Sequence, residues 1–154
     1  MKKKELFQML SVVEQVANLK GSVKFAYAVA KNRKCLQGEV ETLKELIKPS
    51  KEIEEFETKR VKLCQDMSEK DENGAPVIKG NVFVMADPPA FEAKFKELQE
   101  EYKVNLEEHA QKKQDFDTLL EEPSDIEFFK VKLENFPNEI SAVQMEWLMN
   151  LVEE

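Results

Sequence analysis

Few residues in this chain have the type and spacing for bond-making chemistry. His109 is the single histidine, and no HExxH spacing, Cys/His cluster or EF-hand ladder of acids accompanies it. A lone imidazole lacks the second group that acid–base or metal chemistry needs, so His109 reads as a packed side chain of a long helix. Cys35 and Cys64 are the only thiols and belong to no C-x-x-C pair. Cys35 follows Lys31, Arg33 and Lys34, which could activate a thiolate. It also adjoins the apolar stripe containing Leu36, so a buried structural thiol is expected, as for Cys64. Four scattered glycines form neither GxGxxG nor a Walker loop. No catalytic, cofactor-binding or metal-binding residues are predicted.

Two charged surfaces remain as candidates for recognition. Residues 20–34 hold Lys20, Lys24, Lys31, Arg33 and Lys34 without one acid, with Phe25 and Tyr27 interleaved. Lys24, Lys31, Arg33 and Lys34 are candidate nucleic-acid contacts, since cations with aromatic support suit a phosphate backbone and its bases. The plainer alternative is a solvated basic helix facing acidic neighbours. The opposite candidate is a partner-binding acidic face carrying Glu100, Glu101, Glu107 and Glu108, although paired acids on a long helix are commonly only solvated.

The elements that must carry these residues follow from periodicity and punctuation. Among 154 residues, 35% are charged and four are glycine, a composition suited to long helices and one core. Leu6, Met9, Leu10, Val13, Val16 and Ala17 predict an amphipathic helix over 3–20. Gly21 supplies its stop and Ser22 caps a second helix over 22–48, with Phe25, Val29, Leu36, Val40, Leu43 and Ile47 inward. Gly38 lies inside that helix and invites a kink. Pro49 and Ser50 introduce a third helix over 51–70.

Turn residues at 71–76 and a Gly80-Asn81 pair between apolar runs then predict a β-hairpin. Asp87-Pro88 opens the clearest helix, with apolar spacing from Phe91 to Leu120, about 45 Å long at 1.5 Å per residue. Such a length calls for an antiparallel partner, making 51–120 a helix-hairpin-helix arm. Alternation over 125–133, with Phe129, Val131 and Leu133 on one side, predicts a strand joining the hairpin sheet. Ser141 and Gln144 form a capping box, with Ile140 and Met145 as staple, for a last helix burying Val143, Trp147, Leu148 and Leu151. The expected fold is α+β, predominantly helical, in a single domain over 1–154: helices at 3–48, the arm at 51–120, and a strand plus C-terminal helix at 125–154.

The formal charge of −8 is uneven. Residues 1–48 carry ten Lys/Arg against five Asp/Glu, and the remainder thirteen against twenty-six. That asymmetry permits internal complementarity or partners of opposite charge. Glu5, Gln8, Glu14, Gln15 and Asn18 interrupt any signal-peptide apolar region, and the longest apolar run, 25–30, falls far short of the roughly 20 residues that span a bilayer. A soluble cytoplasmic protein with reduced thiols is expected.

The strings Lys24-Phe-Ala-Tyr-Ala-Val-Ala-Lys-Asn32, Ile47-Lys-Pro-Ser50, Lys70-Asp-Glu-Asn-Gly74 and Phe136-Pro-Asn-Glu-Ile-Ser-Ala-Val-Gln144 resemble small uncharacterised helical proteins of tailed bacteriophages and prophages. The resemblance covers most of the chain and carries no reaction motif. It implies a phage product acting in the host cytoplasm or in particle assembly. A non-enzymatic protein–protein interaction or assembly role is expected, through the long helices or a sheet edge, with homo-oligomerisation along the 88–120 helix. An acidic inhibitor of a host defence or nucleic-acid enzyme is the alternative, and a nucleic-acid-binding accessory the third.

Overall fold

A computed structural model describes residues 1–153. The fold is α+β and predominantly helical: α1 (Glu5–Val16), α2 (Val23–Ile47), α3 (Lys51–Met67), β1 (Ile78–Lys79), β2 (Val82–Phe83), α4 (Pro88–Glu101), α5 (Lys103–Glu121) and α6 (Ala142–Leu148). Short 3-10 turns occupy Leu133–Asn135 and Met149–Leu151. The chain gathers into two compact units. One comprises 1–47 with 115–154, the other 48–114.

In the first unit α1 buries Leu6, Met9, Val12, Val13 and Val16 against the stripe Phe25, Val29, Leu36, Val40 and Leu43 of α2. Each such side chain is worth roughly 1.5–3 kcal/mol relative to exposure. Leu148 and Leu151 complete the core, and the capping box of Ser141 and Gln144 starts α6 as predicted. Val143, expected inward, is 67% exposed, because it falls on the outer side of this two-turn helix.

Gly21 serves clearance rather than a left-handed stop. The first helix ends at Val16, and a Cβ on Gly21 would sit 2.9 Å from the Phe25 ring and 3.4 Å from Pro137. Ser22 caps α2 by accepting the Phe25 N–H at 3.1 Å, and its hydroxyl donates to the Asn135 carbonyl. α2 passes through Gly38 unbroken, since that residue is exposed and its backbone stays helical.

The first four residues lie along 120–124. The Lys3 and Lys4 N–H groups donate to the Glu122 and Leu120 carbonyls, and the Ser124 N–H donates to that of Met1. Lys2 and Lys4 both grip the Glu121 carboxylate, at 2.8 and 2.6 Å.

The segment 125–133 corrects the sequence reading: it is extended but joins no hairpin sheet. Val131 instead makes a parallel bridge with Val152, and Leu133 turns into a 3-10 helix. Its alternation fails too, for Val131 is buried while Phe129 and Leu133 are exposed and Ile126 and Phe128 pack toward the core.

The second unit is an antiparallel helix pair closed by the hairpin. Ser50 and Asp87 cap α3 and α4 through the Ile53 and Ala90 N–H groups. Lys59 bonds Glu101 at 2.6 Å, and the Lys48 carbonyl accepts from Lys112 at 2.8 Å, so an advance of eleven residues on one side matches a retreat of eleven on the other. At the closed end β1 pairs with β2 around Gly80, whose φ of +55° glycine adopts without strain, and the Val82 N–H donates to the Gly80 carbonyl at 2.8 Å. The predicted single helix over 88–120 is interrupted at Tyr102, where φ is −106° and ψ 15°. That ring is buried against Phe56 and under the Lys59 ammonium, 4.8 Å from its centroid.

Gly38→Ala should stabilise the protein by about 0.5–1 kcal/mol in urea melts, because a Cβ there meets no atom within 4 Å and the helix loses a flexible residue. The Glu121 carboxyl, held down to about 2 by hydrogen bonds from Lys2 and Lys4, favours the folded chain above the ordinary carboxylate value of 4.5, and its contribution is lost as pH falls toward 2. Carboxyl-carbon NMR at low salt should show Glu121 titrating near 2, moving upward in Lys2→Ala/Lys4→Ala and in high salt.

Candidate functional site

On an α-helix, positions 24, 27, 31 and 34 fall within one face, so Lys24, Tyr27, Lys31 and Lys34 form a stripe along α2. All four are exposed, and none of the three lysines has an ion-pair or hydrogen-bond partner among the described residues. Arg33 departs from the group. It points around the helix toward a shallow cleft with Val16 and Ala17, so the structure brings three of the four predicted cations together and leaves the fourth elsewhere. Of the two aromatics in this stretch, Phe25 is core and Tyr27 is 52% exposed.

Beside this stripe lies the extended segment 128–132, held by Asn32. Asn32 is 1% exposed, on the helix face that otherwise carries Phe25, Val29 and Leu36. Its amide accepts the Phe129 N–H at 2.8 Å and donates to the Phe129 carbonyl at 2.8 Å, a two-point match to a peptide unit. Two residues on, the Val131 N–H donates to the Leu151 carbonyl and the Val131 carbonyl accepts from Glu153. The Phe129 ring thereby meets Tyr27 edge-on, with centroids 5.2 Å apart.

The result is a groove of about 450 Å³ with an apolar floor from Val23, Tyr27, Phe129 and Val131. Lys24, Lys130 and Lys132 stand around it against one acid, Glu153. A hollow of about 380 Å³ in the second unit offers a contrast: Lys59, Lys62 and Lys94 there face Asp66, Glu97 and Glu101 in equal number, without an aromatic ring. The first groove combines stacking surface, apolar depth and unbalanced positive charge, which suits recognition of an anionic ligand with apolar parts.

The acidic candidates are dispersed. Glu101 is taken by Lys59, and Glu100 lies 3.6 Å from Lys103. Glu107 and Glu108 are exposed and pair with no cation among the described residues. Cys64 is buried as expected. Cys35 is exposed, a correction that follows from its place one residue before Leu36, about a quarter-turn away from the inward stripe. His109 is half-buried, and no cluster of three or more His, Cys, Asp or Glu suited to a metal ion occurs among the described residues.

Phe129, Lys130, Val131 and Lys132 are among the groove residues that sequence reasoning misses, because it assigns their segment to the hairpin sheet. The available signal was Asn32, an amide interrupting an apolar helical stripe, which calls for a specific polar partner. No helix among the described residues is long and apolar enough to cross a membrane. Compared with protein-family models, with curated proteins and with solved structures, the chain matches none.

Asn32→Ala should cost about 2 kcal/mol in urea denaturation, since it removes two hydrogen bonds and strands their partners. The Phe129 amide should lose hydrogen-exchange protection in the same variant while α1 amides keep theirs.

Proposed function

We propose that this chain is a non-enzymatic binding protein that engages an acidic protein partner through the lysine-rimmed groove of α2 and residues 129–132. The observation that carries the reading is the Tyr27–Phe129 ring pair, 52% and 45% exposed, among lysines that fold without ion-pair partners. Aromatic anchors inside a polar rim are where interface energy concentrates. With the resemblance to phage-encoded proteins, the setting is a bacterial host cytoplasm or a particle-assembly step.

A second reading, binding of single-stranded nucleic acid, draws on the same rings and on the unpaired Lys31 and Lys34. It has less behind it, because a long polyanion leaving the groove meets a chain of net charge −8. The inhibitor reading through the acidic face is weaker again, as Glu100 and Glu101 already lie beside Lys103 and Lys59.

Affinity capture from bacterial lysate, with and without nuclease, should yield a stoichiometric protein that survives nuclease and is lost with Lys24→Glu/Lys132→Glu. Light scattering on the purified protein separates a second copy from a foreign partner. Retention of the partner by the reversal variant would remove the groove from consideration, and loss of the captured material on nuclease treatment would favour the second reading.

A further inference from the structure

We infer that the groove takes its partner as an added β-strand, an extended acidic segment pairing with the free edge of residues 128–130. The inference rests on the groove being the engagement surface and adds the conformation and chemistry of what it receives.

In an extended segment the N–H and C=O groups of successive residues point to opposite edges. Phe129 and Val131 use one edge, through Asn32 on one and residues 151–153 on the other. Phe128 and Lys130 therefore present theirs to the opposite edge, and neither residue's backbone has a hydrogen-bond partner among the described residues. Lys132 closes that edge by giving its carbonyl to the Asn135 N–H. The open length is short, and its opposite edge is already held in place by the bonds at Phe129 and Val131, so an incoming backbone need order little but itself.

Side chains of an added strand alternate between two faces, and a hollow opens on each. The groove already described adjoins Phe129 and Val131, while a second hollow of about 560 Å³ is lined by Ile126, Phe128, Met149 and Glu127, with Lys130 bordering both. Charge selects the occupant. On the first groove's face Lys24, Lys130 and Lys132 outnumber Glu153, while on the other Glu127 offsets Lys130 beside Ile126, Phe128 and Met149, so acidic residues on one face alternating with apolar ones on the other fit. A second copy pairing through the same edge would bring Lys130 and Lys132 of two chains together, and lysine on a strand edge is a common guard against that self-pairing.

The test selects short randomised displayed peptides on the intact protein, with Lys24→Glu/Lys132→Glu, matched to wild type by circular dichroism and thermal midpoint, as counter-selection. Enriched peptides should alternate Asp or Glu with apolar residues and slow amide exchange at Phe128 and Lys130. N-methylating alternate backbone positions of an enriched peptide should weaken binding about tenfold or more in one set and leave the other unchanged. Peptides that need Lys24 and Lys132 but tolerate N-methylation in both sets would overturn strand addition while the groove reading stands. Peptides indifferent to those lysines would remove both. Failure to enrich any peptide, with oligothymidylate protecting the same amides, would make the occupant a nucleic acid and end the proposal.

Discussion

The carboxamide of Asn32 is the constraint on which the grooved face of this protein depends. An apolar residue at that position would extend the α2 stripe and bury more hydrocarbon, yet it would leave the Phe129 N–H and carbonyl without partners beside the core. A side-chain amide has the donor and acceptor spacing of a peptide unit, so Asn32 stands in for one residue of a neighbouring strand. It fixes the register of residues 128–132 on the helix, sets Phe129 against Tyr27, and commits one edge of the segment while leaving the other open. Cohesion gives up a little so that a backbone is held in a single place.

The two units solve the burial problem differently. The first has helices that share a broad core, closed by α6 and by the N-terminal residues laid along 120–124. The second has only a seam, Phe56, Leu98 and Tyr102, with Phe95, Leu63 and Leu106 half-covered beside it. Aromatic contacts run along that seam from Phe91 through Phe95 and Phe56 to Tyr102. A narrow pair of helices cannot hide whole side chains, so flat rings and lysine stems do the covering, as Lys59 does over Tyr102. The break at Tyr102 fits the same need: the Tyr102 N–H bonds the Leu98 and Glu100 carbonyls while its ring turns into the seam.

What the sequence makes legible here is what is decided within a few residues. The caps at Ser22, Ser50, Asp87 and Ser141, the Gly80 turn and the inward stripes of α1 and α2 all depend on neighbours three or four positions away. The segment 125–133 departs from its sequence expectation because its partners, Asn32 and residues 151–153, are distant in sequence or not a strand at all. Alternation marks an extended chain without saying what it pairs with. Cys35 and Val143 erred by one position around a helix, enough to exchange interior for solvent. Half of the groove was visible as the 20–34 cations with Tyr27; the other half, Phe129 to Lys132, required the fold.

The net charge of −8 does not decide what the groove attracts. Exposed charges act over about 10 Å at 0.1 M salt, so a ligand at the groove feels its nearest cations more than the sum over the chain. Three lysines against one glutamate give that neighbourhood a positive sign, whereas the charges lining the hollow of the second unit cancel. The same distance limits the ligand. A short acidic segment can end inside the favourable region, while a long polyanion has to continue across surface that repels it. Surface ion pairs contribute little to folding, so Lys24, Lys130 and Lys132 cost the fold little by standing unpaired beside the exposed rings of Tyr27 and Phe129.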